Sequence, residues 1–365
     1  MNVRIQIIEV HQPICTFYIA KISGTLLYDM AKADIMTISR SSENELYEGI
    51  QRNLIESKVK SIEDYLYAYD ATFPSSIILN ITDDFIVSRN HNEIEIKKTA
   101  KTFSIIDGQH RLEGFRNYKN DDFEVIVSIF INLSKELQSR IFTTINSEQT
   151  KVDPSISLYL ERNDSLYTPR KVVAQIASTF STDIKSPWNG KIKLTGRKDD
   201  YSYDGIISLS AFAKPILNYI YPDDDFYLVR NALHNYKSIE VPQILQRFDY
   251  SSKYILWPFY ATQNDKALYK ILYNYFSAFK TTFKNDWGNA RSLLTKTTGY
   301  NAIMLLFKDL FTKGYCNGNL SEEFFLSCIN KLKGMEGKID SYTYGASGLK
   351  SSNDLYEDFK SLIEI

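Results

Sequence analysis

The apolar period of this chain changes near residue 165, and that change restricts the fold more than any other feature. Before it, short β-branched runs alternate with helix-period segments. The runs predict strands at Val3–Glu9, Thr16–Ile22, Ile77–Ile81, Phe85–Val87, Ile94–Ile96, Phe103–Ile106 and Val125–Leu133. Helices are predicted over Asn53–Tyr67, where Leu54, Val59, Ile62 and Leu66 make an apolar stripe, after Asp107, and over Lys135–Ile145 behind an N-cap at Ser134. From about Thr168 the strand-like runs nearly vanish. Helical patterns follow at Arg170–Phe180, Ser210–Tyr219, Lys266–Phe283, Tyr300–Phe311 and Glu322–Leu332. The fold class expected is therefore α+β, with an α/β domain over residues 1–165 and a mostly α-helical domain over 166–365. With 26 Tyr and 21 Phe, its cores should be dense in aromatic rings.

Charge narrows the function. The 43 Lys and Arg against 44 Asp and Glu exclude binding to nucleic acid through bulk positive charge, so any such contact must be a local patch. Three cysteines, Cys15, Cys316 and Cys328, are odd in number and far apart, which reads as reduced thiols with no metal-ligand spacing. The opening MNVRIQIIEV alternates like a strand, and the longest apolar stretch, Val125–Leu133, is broken by Ser128 and Asn132. A soluble, cytoplasmic protein with no membrane contact is expected.

One stretch departs from ordinary patterning. The apolar strand Phe103-Ser104-Ile105-Ile106 runs into Asp107-Gly108-Gln109-His110-Arg111 and then into Leu112-Glu113-Gly114-Phe115. Gly108 permits a tight strand-to-helix turn, and the backbone N–H groups after it sit at a helix start that favours an anion. His110 and Arg111 add donors, Arg111 as a fork that matches phosphate, while Asp107 could hold a metal ion or orient Arg111. The competing reading is plainer: Asp107 caps the helix and Arg111 pairs with Glu113 or Asp107.

Asp107-Gly108-Gln109-His110-Arg111 resembles the signature of the DGQHR-domain proteins, a family that includes DndB of the DNA phosphorothioation systems. Two further stretches are similar to elements of that family in the same order. They are Gly49-Ile50-Gln51-Arg52 with its helix and Phe73-Pro74-Ser75-Ser76-Ile77, and Ile141-Phe142-Thr143-Thr144-Ile145-Asn146 through Gln149 to Val152. The central turn also resembles the phosphate-binding turn of the ParB/sulfiredoxin superfamily. The resemblance implies a ParB/sulfiredoxin-like N-terminal domain, ATP or another NTP with Mg²⁺, and an ATP-hydrolysing accessory or regulatory role in a DNA-modification or defence system. It implies DNA, the proteins of that system and a second copy of the chain as partners. Asp107 and Gln109 would be catalytic, Asp107 the metal ligand, and Gly108, Gln109, His110, Arg111, Gln51, Arg52, Asn146 and Gln149 the nucleotide contacts. Where ParB-type turns commonly carry Glu, this chain has Gln109, which can orient water but cannot act as a base. No cysteine precedes His110, so sulfinic-acid reduction is not expected. Taken singly, Arg52 reads as a solvated helix-start residue and Asn146 as a left-handed helix end.

A second cluster runs from Trp188 to Lys198, with Tyr201 and Tyr203 behind it. Lys191, Lys193, Arg197 and Lys198 could neutralise DNA phosphates while an aromatic ring stacks. Equally, the alternation of Lys with Ile and Leu fits an exposed hairpin with an outer and an inner face. The alternative to the enzyme reading is thus a non-catalytic DNA-binding or scaffold protein that uses the central motif as a structural or DNA-phosphate-binding turn.

Overall fold

Period-2 burial organises the first of two units, Met1–Lys151, in the computed structural model. The structure describes residues 1–33, 37–41, 44–48, 54–148, 152–198, 204–236, 239–345 and 348–364. Strands β1 (Asn2–Gln12) and β2 (Cys15–Ser23) form a hairpin, followed by α1 (Gly24–Met30) and β3 (Ala31–Ala33). A separate antiparallel pair is formed by β4 (Thr37–Ser41) and β5 (Asn44–Glu48). Then come α2 (Glu56–Leu66), β6 (Ile77–Ile81), β7 (Ile86–Arg89), β8 (Glu93–Lys97), β9 (Phe103–Asp107), α3 (Gln109–Glu113), β10 (Glu124–Ile131) and α4 (Lys135–Glu148). Eight strands make one mixed sheet in the order β3-β9-β6-β10-β2-β1-β8-β7. The β6–β10 and β3–β9 pairs are parallel and β6–β9 is antiparallel.

Side chains of adjacent strand residues point to opposite faces. Ile77, Leu79, Ile105 and Val127 therefore pack with Leu66, Leu112 and Phe115 of the helical layer formed by α2 and α3. Ile78, Ile106 and Phe130 face the other way, against Leu137, Ile141 and Phe142 of α4. The layer over the first face is fitted closely: a Cβ on Gly24 would lie 2.2 Å from the Phe115 ring, and one on Gly114 would lie 2.4 Å from Ile62.

The second unit, Val152–Ile365, is helical as expected. Its elements are α5 (Pro154–Glu161), α6 (Pro169–Thr182), the two-residue strands β11 (Ile192–Lys193) and β12 (Ile207–Ser208), α7 (Leu209–Leu217), α8 (Phe226–Asn235), α9 (Val241–Leu245), α10 (Trp257–Ala261), α11 (Asp265–Thr282), α12 (Thr297–Cys316), α13 (Glu322–Ile329), α14 (Ser341–Tyr344) and α15 (Leu349–Ile363). The predicted helix over Glu322–Leu332 stops at Ile329 and tightens into a 3₁₀ segment, Asn330–Met335. Helices α5, α8, α9, α10, α14 and α15 have no counterpart in the sequence reading.

Trp188 is fully buried at the centre of this unit, with the Phe212, Phe276, Trp287 and Tyr300 rings at centroid distances of 5.3, 5.6, 5.1 and 5.4 Å. Buried tyrosines tie distant elements together. Tyr300 Oη donates to the Phe212 carbonyl at 2.7 Å, and Tyr275 Oη to that of Ile303 at 2.5 Å. Tyrosine–aspartate pairs add further ties: Tyr356 of α15 to Asp309 of α12 at 2.6 Å, Tyr167 before α6 to Asp265 of α11, and Tyr250 to Asp225. Among the described residues no helix is long and apolar enough to cross a membrane.

Truncating a large aromatic side chain in a close-packed core loses its transfer free energy and leaves a cavity. Trp188→Ala should therefore cost about 3–5 kcal/mol, read as a lowered midpoint in guanidinium unfolding of the full chain.

Candidate functional site

Gly108 sets the geometry of the motif. Its φ of 98° lies in the left-handed region, and a Cβ there would come within 3.1 Å of Arg111 Nη2 and of Ile77. The chain thus turns out of β9 and straight into α3 at a position only glycine fits, and the residues after it are aimed by that turn.

Arg111 turns back onto the sheet. Nη1 donates to the Ser75 carbonyl and to Ser75 Oγ, both at 2.8 Å, and Nη2 donates to the Ser76 carbonyl at 3.1 Å and to Asp107 Oδ2 at 3.3 Å. The approach to β6 and the end of β9 are thereby fastened together by one planar fork. Burial pulls the Arg111 pKa down while the Asp107 carboxylate pulls it up; a guanidinium remains protonated at neutral pH in either case. This is the Arg111–Asp107 pairing that the plainer sequence reading allowed.

His110 points to another segment. Its Nε2 accepts the backbone N–H of Ile55 at 3.1 Å, at the start of α2. The proton of the neutral ring must then sit on Nδ1. Burial first, and the nearby Lys58 charge second, hold the imidazole below its ordinary pKa, against a smaller opposing pull from Asp107.

Gln109 and Glu113 project from the same short helix into a cavity of about 460 Å³, with Tyr28, Asp29, Lys32 and Leu54 around it. Its two carboxylates are already paired, Asp29 with Lys98 at 3.2 Å and Glu113 with Arg116. The sequence reading quoted Ser75 and Ser76 without giving them a role and missed Tyr28, Asp29 and Lys32; these reach the motif only through the fold, from α1, from β3 and from the loop before β6. Among the described residues no three His, Cys, Asp or Glu side chains converge on a common point. Asp107, already bonded to Arg111, does not by itself fit a protein-held Mg²⁺, which favours octahedral coordination.

The remaining residues of the sequence reading divide. Gln51, Arg52 and Gln149 lie outside the described residues, as do Tyr201 and Tyr203. Asn146 sits within α4, where its Nδ2 donates to the Phe142 carbonyl at 2.8 Å, so it is helical and not a left-handed end. The Lys191–Lys198 stretch is not a hairpin: Ile192–Lys193 pairs in parallel with Ile207–Ser208, and Ile192 and Leu194 are buried. Lys191 Nζ is 3.7 Å from Asp204, and Lys193 and Arg197 act on Asp153, whose pKa is lowered chiefly by its bond from the Ser155 N–H. Lys198 is exposed. Trp188, the aromatic of this cluster, is buried in the core and is not available for stacking on a base.

Removing Arg111 takes a charged donor from the Ser75 and Ser76 carbonyls and from the Asp107 carboxylate at once. Arg111→Ala should lower stability by about 2–3 kcal/mol in urea unfolding, and Arg111→Lys, lacking the fork, should recover little of it.

His110 predicts a pH dependence with a definite sign. Its folded pKa is below the unfolded value, so the unfolded state binds more protons between the two. The contribution of His110 is complete above about pH 6.5 and declines as the pH falls below that value. A series of unfolding midpoints from pH 7.5 to 5 should lose this component in His110→Phe.

No protein of curated function and no solved structure matches the chain. Residues 6–194 match the family described as DndB, DNA-sulfur modification-associated. The match takes in the sheet from Gln6 onward, the Gly108 turn, the Arg111 and His110 contacts and the cavity beside Gln109, and since it spans more than half of the 365 residues, the chain belongs to the DndB family.

Proposed function

We propose that this protein is a nucleotide-responsive accessory or regulatory component of a DNA phosphorothioation system, with its nucleotide in the cavity beside Gln109. The observation that carries the reading is the cavity itself, which opens on the motif helix and has a volume of about 460 Å³, within the range of small-ligand sites. The likeness of the turn to the ParB/sulfiredoxin superfamily supports a nucleoside triphosphate as the ligand. Within this reading the motif divides its labour. Arg111, Asp107 and His110 hold the frame, while Gln109, on the cavity lining, meets the ligand. Lys32 stands at the wall as a phosphate partner. Hydrolysis would need a water oriented by Gln109 and Mg²⁺ carried in with the phosphates; no metal step is assigned to the protein's own side chains.

Calorimetric titration with ATP, CTP and GTP, with and without Mg²⁺, tests the proposal. Binding of at least one of them is expected, weakened at least about tenfold by Gln109→Ala, which corresponds to the loss of one good hydrogen-bonding group. Absence of heat with all three would remove the nucleotide from the proposal.

A second reading, a DNA-binding scaffold without catalysis, is favoured by one observation: both basic side chains of the motif are engaged with the protein's own backbone. Its electrostatics are also specific. Lys191 is paired with Asp204 in the cluster of the second unit, and Arg197 and Lys198 are the exposed cations of the four. Each phosphate contact contributes about 0.9 to the slope of log affinity against log salt. Alanine at both 197 and 198 should flatten that slope by about 2, measured in a salt series on duplex DNA. An unchanged slope would place any DNA contact elsewhere.

A further inference from the structure

The wall of the cavity beside Gln109 carries a carboxylate and an ammonium group close together in the chain, Asp29 and Lys32. Helix α1 buries Leu27 and Met30 completely, while Tyr28 and Asp29 of its last turn come to the cavity. Strand β3 follows at once and brings Lys32, which is exposed, to the same wall. Three residues span at most about 11 Å of extended chain, so the two groups lie within the reach of one nucleoside triphosphate.

Asp29 is held in place by Lys98, whose Nζ lies 3.2 Å from Oδ2. The turn that carries Lys98 is itself fixed: the buried Thr102 donates through Oγ1 to the Lys97 carbonyl at 2.6 Å and accepts the Thr99 N–H at 3.0 Å, and Ala100 of that turn reaches the cavity lining. Lys98 meets one oxygen only, and the Asp29 side chain keeps 59% of its surface exposed, so the carboxylate is accessible to a ligand donor. A carboxylate repels phosphates, which therefore belong at Lys32. The Lys98 ammonium beside Oδ2 equally disfavours a divalent cation on the same carboxylate. What remains for Asp29 is an uncharged donor, and the part of a nucleotide next to its phosphates, the ribose, carries two hydroxyls. A hydroxyl bound to a carboxylate is a strong, charge-assisted hydrogen bond, and an acidic side chain serves the same purpose in dinucleotide-binding sheets.

We propose that Asp29 is a specificity-determining residue of this cavity, its carboxylate accepting the ribose hydroxyls of a nucleoside triphosphate whose phosphates meet Lys32. The inference rests on the nucleotide reading above and deepens it. A free ribonucleotide is then accepted, and an internal nucleotide of a DNA strand, which has no free sugar hydroxyl, is rejected.

The test is calorimetric titration of the full chain with ATP, CTP and GTP and with their 2′,3′-dideoxy analogues, each with and without Mg²⁺. At least one ribonucleotide should bind at least about tenfold more tightly than its dideoxy analogue, the loss expected for one charge-assisted hydrogen bond. Asp29→Ala should bring that ratio to about one. Asp29→Asn, which keeps the shape and one acceptor oxygen, should leave it in between. The ratio is internal to each variant, so a folding defect that weakens both ligands does not move it. Equal binding of every ribonucleotide and its analogue by the parent chain would overturn the role of Asp29 and leave the nucleotide reading standing. So would a ratio that survives Asp29→Ala, or a loss in that variant that is confined to Mg²⁺ and equal for both ligands, which would make Asp29 a metal contact. Absence of heat with all of these ligands would overturn both.

Discussion

The four hydrogen bonds of Arg111 join segments that the chain separates by more than thirty residues: the Ser75–Ser76 approach to β6 and the end of β9. β6 and β9 are neighbours in the sheet, and the parallel partner of β6, β10, follows α3 in sequence. The clasp therefore sits where the strand order departs from the chain order, the place at which open sheets with helical layers usually expose ligand sites. A guanidinium suits this place because its fork satisfies two carbonyls, a hydroxyl and a carboxylate at once, and because it keeps its charge while partly buried.

With Arg111 and His110 engaged on the Ser75–Ser76 segment and on Ile55, Gln109 is the half-buried polar residue of the motif that borders the cavity. Gln109 and Glu113 are four residues apart, so they share one side of α3, and that side borders the cavity. The acidic groups there are matched by Lys98 and Arg116, which leaves a polar but nearly neutral recess. Such a surface reads shape and hydrogen-bond pattern in preference to bulk charge, in keeping with a chain whose overall charge is −1.

The second unit is held by a different principle. Its aromatic rings pack around Trp188, and hydroxyls of buried tyrosines reach carbonyls far along the chain, as Tyr300 does to Phe212 and Tyr260 to Tyr167 at 2.6 Å. A tyrosine supplies large apolar area and one polar atom, and burial raises the pKa of its hydroxyl well above the usual value, so it stays a donor at any ordinary pH.

The sequence by itself determined the division into a sheet-bearing part and a helical part, because periods of 2 and 3.6 are local properties of the chain. It also determined the Gly108 turn, since a strand that must reverse directly into a helix needs the left-handed region. The sequence pattern located the motif but left the direction of its side chains open: Arg111 to Ser75 spans 36 residues and His110 to Ile55 spans 55, distances over which no residue pattern fixes a partner. The same limit explains Lys191–Lys198. The alternation correctly implied an inner face at Ile192 and Leu194, while parallel pairing with Ile207–Ser208 and the opposing Asp204 and Asp153 came only with the fold. Tertiary structure decided which polar groups are consumed in holding the protein together and which remain to meet a ligand, because a hydrogen-bond donor can be used only once and its partner is chosen by packing.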